Sequence, residues 1–122
     1  MLSTRVAATL LAFSALSCAP EAEIRVANGT GLPLTAVEVE YGADDPADNV
    51  WRLDSLGGAE STAFRRVRNA SRAPRARARY GERLLEGPAP GREEGALERG
   101  RYSYILRLGG ADFLVVAVEP EP

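Results

Sequence analysis

Along most of this chain apolar and polar side chains alternate with a period of two, and no segment sustains the 3.6-residue period of a helix. Ile24 and Val26 point one way while Glu23, Arg25 and Ala27 point the other. From Leu34 to Tyr41 the residues Thr35, Val37, Val39 and Tyr41 share a face opposite Ala36, Glu38 and Glu40. Val50 to Leu53 places Trp51 and Leu53 together. Thr62 to Val67 sets Arg66 on the side of Phe64, an inward charge that suits an edge strand. Ala76, Ala78 and Tyr80 alternate with Arg75, Arg77 and Arg79, and Tyr102, Tyr104, Leu106 and Leu108 line one face of the segment from Arg101. The last segment, Asp112 to Val118, is apolar on both sides, which predicts a central strand or one covered on its second face.

Between these segments lie Asn28-Gly29-Thr30-Gly31, Gly57-Gly58 and Gly109-Gly110, whose residues favour tight turns, and the polar connections 42–49, 69–74 and 87–100. Arg83 to Glu86 adds a short rung. About seven short strands in a chain of this size predict an all-β fold, a two-layer antiparallel β-sandwich, over residues 24–119.

The N-terminus is built differently. Arg5 precedes an uncharged, mostly apolar run from Val6 to Leu16, followed by the small residues Ser17, Cys18 and Ala19. This is the layout of a secretory signal, and the run is about half the roughly 20 residues that cross a bilayer. Residues 1–17 are therefore read as a signal peptide and 18–23 as a tether. Cys18 is the one cysteine in the chain, so in an exported protein it has no intramolecular disulfide partner.

Ala15-Leu16-Ser17-Cys18 resembles the lipobox of bacterial lipoproteins, with its leucine two rather than three places before the cysteine. The resemblance implies diacylglyceration of Cys18, cleavage before it, acylation of the new amino group, and, with Ala19 following, delivery to the outer membrane. The membrane is then a partner through lipid on Cys18. The alternative is an ordinary signal peptide that releases a soluble secreted or periplasmic protein. Over the mature chain the strand order resembles an immunoglobulin-like domain, with Trp51 in the place of the core tryptophan, Tyr102 near the start of the sixth strand, and no inter-sheet disulfide. A transthyretin-like sandwich has the same appearance. Ile24-Arg25-Val26-Ala27-Asn28, Gly100-Arg101-Tyr102-Ser103-Tyr104 and Leu114-Val115-Val116 with the acidic tail are similar to small uncharacterised bacterial lipoproteins, a family that implies no activity.

Histidine is absent and Cys18 is committed on this reading, so neither a Ser-His-Asp triad nor a Cys-His pair can be assembled. Zinc loses its two favoured ligands, and no metal or other cofactor is expected. Asp44, Asp45 and Asp48 in one loop, and Glu93, Glu94 and Glu98 in another, are the carboxylates left for a glycoside-type hydrolysis; solvated turns are the simpler reading of both. Trp51 and Tyr104 lie on apolar faces and are expected in the core.

Charge is distributed unevenly. From Ala19 to Ala63 nine acids accompany two arginines, whereas from Phe64 to Arg83 eight arginines accompany Glu82 alone. Arg75, Arg77 and Arg79 are accordingly candidates for binding an anionic polymer or lipid phosphates. The opposing expectation, favoured here, is that acidic and basic strands neighbour each other and neutralise internally. No nucleic-acid partner is expected for an exported chain of formal net charge −2. The expected function is a lipid-anchored envelope protein whose sandwich is a non-catalytic module for an unidentified protein or envelope polymer. An assembly accessory of an envelope complex comes next, and a carboxylate hydrolase a distant third.

Overall fold

The alternation is realised as eight strands in a computed structural model that describes residues 21–43, 49–88 and 95–122. They are β1 Glu21–Asn28, β2 Leu34–Gly42, β3 Val50–Leu56, β4 Arg65–Arg68, β5 Ala70–Tyr80, β6 Arg83–Gly87, β7 Gly100–Leu108 and β8 Leu114–Glu121. The signal segment, Cys18, Asp44, Asp45, Asp48, Glu93 and Glu94 lie outside the described residues. The strands form two sheets, β4-β1-β7-β8 and β3-β2-β5-β6, packed as a sandwich. The second sheet is antiparallel; the first is mixed, because β1 and β7 run parallel from Ala22↔Gly100 to Asn28↔Leu106. Alternation assigns faces but carries no strand direction, so this polarity is invisible in the pattern.

The core between the sheets is made of residues from Ala22 to Val118: Ile24, Val26, Val37, Val39, Tyr104, Leu106 and Leu114 are buried at its centre, with Val116 and Val118 at the margin. Trp51 is 8% exposed and joins this core. Its ring lies 5.0 Å from the Arg65 guanidinium, so a cation–π contact spans the side of the sandwich between edge strands β3 and β4. On the opposite side, the Arg83–Asp112 ion pair and the Glu86↔Phe113 bridge tie β6 to the start of β8.

Several boundaries differ from the sequence expectation. β1 starts at Glu21 rather than after a tether ending at residue 23, because Ala22 is buried opposite Val67 while Glu21 and Glu23 meet Arg68 at 3.3 Å and Arg101 at 2.9 Å. The inward charge on β4 is Arg65, the register partner of buried Ile24, and not Arg66. β8 is an edge strand rather than a central one. Its edge position accommodates Pro120, which has no N–H to donate, and Val115 and Ala117 stay half-exposed. β5 begins at Ala70 instead of Arg75: the pairing with β2 shifts between Glu40↔Arg75 and Gly42↔Ala70, and buried Pro74 fits within that irregularity. The long 87–100 connection docks at its end, where the Leu97 N–H donates to the Ala70 carbonyl (2.7 Å) and the Leu97 side chain is buried.

Two polar residues organise this apolar frame. Asn28, wholly enclosed at the end of β1, donates from Nδ2 to the Leu32 and Leu56 carbonyls (2.7 and 2.9 Å). Its Oδ1 accepts from the Thr30 N–H and hydroxyl (2.9 and 2.6 Å). Tyr104 crosses the core, its hydroxyl donating 2.7 Å to the Ser71 carbonyl on β5. Burial raises the Tyr104 phenol well above the ordinary tyrosine value.

That shift has a definite sign. The folded chain holds the Tyr104 proton more tightly than the unfolded chain, so the contribution is complete below about pH 10 and is lost as pH rises above it. The chain has no lysine to add its own titration in this window. Denaturation measured from neutral pH to about pH 11.5 should show a fall in stability above about pH 10. In Tyr104→Phe the fall should be shallower, from a starting stability lower by about 1–2 kcal/mol. Equal slopes in the two proteins would contradict the assignment.

Candidate functional site

The outer faces of both sheets are where chemistry can occur, because the alternation that buries Val37, Val39, Ala76 and Ala78 turns Glu38, Glu40, Arg75, Arg77 and Arg79 outward. β2 lies between β3 and β5, so an acidic strand is flanked by strands carrying arginine. In register, Arg52, Glu38, Arg77 and Glu86 form one row across all four strands, with signs alternating. The first sheet has an equivalent row, Arg66, Glu23, Arg101 and Glu121, because acidic β1 lies between β4 and β7.

Ion pairs follow these rows and their diagonals. Arg75 reaches Glu40 at 3.0 Å and donates from Nε to the Pro88 carbonyl (2.6 Å), and Arg77 reaches Glu86 at 3.3 Å. A shallow depression of about 180 Å³ runs over this group, lined by Glu38, Glu40, Arg75, Arg77 and Glu86 with Val50 and Ala76 beneath. Arg79 stands apart, opposite Thr35 and Leu84 in the ladder, and among the described residues it makes no ion pair. On the first sheet Arg25 bonds Ser103 Oγ (2.8 Å) and Glu121 (2.9 Å), and the Arg25 and Arg101 guanidinium groups both lie over the Phe64 ring, at 5.1 and 4.7 Å from its centroid. Exposed pairs of this kind each contribute about 0.2–1 kcal/mol and leave little net field.

The structure thus brings together two of the three candidate arginines, Arg75 and Arg77, and gives each a carboxylate. Glu98 is exposed, and its carbonyl accepts from the Tyr102 hydroxyl (3.0 Å), a bond back to upstream backbone like that of a tyrosine corner. Among the described residues no group of three or more acids could hold a metal ion. Sequence reasoning missed Glu86, Arg65 and Asn28. Asn28 had a legible signal, since it continues the buried face of Ile24 and Val26 with a polar side chain.

No family model matches the chain, and no curated protein is similar to it. Among solved structures it is similar to an NMR structure of a protein from Eubacterium rectale, at 12% identity and a TM-score of 0.52, covering 79% of this chain and 87% of that one. That likeness concerns the fold alone.

Changing Arg75, Arg77 and Arg79 together to glutamine tests whether the rows are structural. The expected outcome is a stability loss of about 0.5–2 kcal/mol at low salt, smaller at high salt, with retention on heparin unchanged. Strong wild-type retention at about 0.15 M salt that vanishes in the variant would make the arginines an anion site instead.

Proposed function

We propose that the chain is a lipid-anchored envelope protein whose β-sandwich serves as a non-catalytic binding or interaction module. The observation that carries this reading is the position of the unique Cys18: it ends a secretory-type segment and is separated from Glu21, the first residue of β1, by Ala19 and Pro20 alone. Three residue steps span at most about 10 Å, so an acyl anchor on Cys18 holds the start of β1 against the bilayer. Two or three acyl chains, at about 0.8 kcal/mol per buried methylene, make such attachment durable. Ala19 after the cysteine favours the outer membrane.

The same anchoring gives the domain an orientation. β1 and β7 run in parallel away from Cys18, so Asn28 and Leu108 lie at the far end, together with Arg79 and Tyr80, since β5 meets the first residues of β2 there. Exposed Tyr80, Leu108 and Phe113 gather at that end, where an anchored module meets its surroundings. The charged outer faces, with acids and arginines interleaved, support a surface that remains soluble beside the membrane rather than one that turns over a substrate.

Cys18→Ser should abolish both palmitate incorporation and membrane attachment in a bacterial host. Metabolic labelling and membrane fractionation read the two effects separately. A wild-type chain that takes up no label and stays in the soluble fraction would refute the lipid anchor and favour a secreted or periplasmic protein.

A further inference from the structure

Asn28 and Gly29 form the one Asn-Gly pair in the chain, and no Asp-Gly pair occurs. In an unfolded chain this is the dipeptide that loses its side-chain amide fastest, because a glycine nitrogen has no neighbouring side chain to hinder its approach to the asparagine Cγ. The other two asparagines precede Val50 and Ala70, whose side chains slow the same reaction.

The corner of the sandwich requires both members of the pair. Only an amide can donate to the Leu32 and Leu56 carbonyls and accept from the Thr30 N–H and hydroxyl. Gly29 has no room for a side chain: a Cβ there would meet Ile105 Cγ2 at 2.9 Å and the Leu106 carbonyl oxygen at 3.1 Å. The packing that needs this pair also locks the atoms that the reaction uses. The Gly29 N–H, which must lose its proton before the nitrogen can attack, donates to the Leu106 carbonyl (2.8 Å). Nδ2, which must leave as ammonia, is held by two carbonyls. Asn28 is only 2% exposed, which keeps out the water needed to exchange protons and open the product ring.

We infer that Asn28 is a deamidation site that folding closes and unfolding opens, so that a covalent change makes loss of the corner permanent. In the unfolded chain the Gly29 nitrogen gives its proton to hydroxide and forms a bond to Asn28 Cγ. The Cγ–Nδ2 bond then breaks, Nδ2 takes up a proton from water and leaves as ammonia, and a succinimide remains. Water opens this ring at one carbonyl or the other, leaving aspartate or isoaspartate. Neither product rebuilds the corner. Aspartate sets carboxylate oxygens against the Leu32 and Leu56 carbonyls and buries a negative charge. Isoaspartate routes the main chain through Cβ, lengthening it by one carbon where β1 hands over to the following turn. A chain that stays unfolded long enough to react therefore cannot return to the sandwich. This inference does not depend on the lipid anchor.

The experiment uses residues 19–122, which contain both sheets and the whole described core and lack Cys18. One sample is held folded and another in guanidinium chloride, both in the same mildly alkaline buffer, and conversion at each asparagine is followed by peptide mass spectrometry. In denaturant Asn28 should convert first, with Asn49 and Asn69 lagging, and folding should slow Asn28 by at least about a hundredfold, since reaction then waits on global unfolding. When denaturant is removed, the fraction that regains the native circular dichroism should fall in step with conversion at Asn28, and Asn28→Asp made directly should show the same loss. Gly29→Ala, read in denaturant where its folding is irrelevant, should slow conversion severalfold. Equal rates in the folded and denatured samples overturn the proposal. So does a denatured chain in which Asn28 converts no faster than Asn49 and Asn69, or an Asn28→Asp chain that folds with wild-type stability.

Discussion

The sandwich depends on one buried amide. Asn28 sits where β1 leaves the first sheet and the chain crosses to β2 in the second, and its side chain makes all four of the hydrogen bonds that an asparagine can make. Its main chain is engaged as well: the N–H donates to the Glu60 carbonyl (2.9 Å) and the carbonyl accepts from Ala59 (3.1 Å). Six bonds therefore gather the 29–33 turn, the end of β3 and the 57–60 turn around a single residue. Buried polar groups are costly unless fully satisfied. Here complete satisfaction converts that cost into specificity, because an alternative crossing between the sheets strands the amide without partners. With this corner set, β2 lies in the second sheet with Val37 and Val39 facing Ile24 and Val26.

The corner also explains how a chain with acidic and basic halves acquires an evenly charged surface. Crossing at Asn28 puts β1 and β2 in different sheets, and each acidic strand then recruits arginine-bearing strands on both flanks. Arg66, Glu23, Arg101 and Glu121 on one face, and Arg52, Glu38, Arg77 and Glu86 on the other, repeat the same order of signs. Each exposed pair is weak. Their joint effect is on register, because slipping one strand by a residue turns its charges into the core.

Face assignments were legible in the sequence because a period of two is a direct readout of the pleat. The all-β class, the inward placement of Trp51 and Tyr104, and the outward stripes of Glu38, Glu40, Arg75 and Arg77 all follow from it. Direction and order were not legible, since Ile24, Tyr104 and Val118 read alike whether their strands are parallel or antiparallel, central or at an edge. The apolar face of Val115 and Ala117 suggested a central β8, but hydrophobicity alone does not distinguish a covered face from a half-exposed edge. Pro74 misled in the other direction: it signals a break in a regular ladder, yet an irregular pairing holds it inside β5. At the charged surface, the opposed stripes of Glu38 and Glu40 against Arg75 and Arg77 were foreseen from composition and spacing. The contribution of Glu86 was not, because β6 read as a short rung with no assigned neighbour.

The most direct test of this account is the exchange rate of the Asn28 side-chain amide protons, followed by NMR on residues 19–122. If the amide is the enclosed corner of the sandwich, both Nδ2 protons should be resolved and should exchange only as slowly as the Ile24, Val26 and Tyr104 main-chain amides, through global unfolding. Nδ2 protons that exchange as fast as those of a solvent-exposed asparagine, while the core amides stay protected, would show that the corner opens independently and that the sandwich is held by something else.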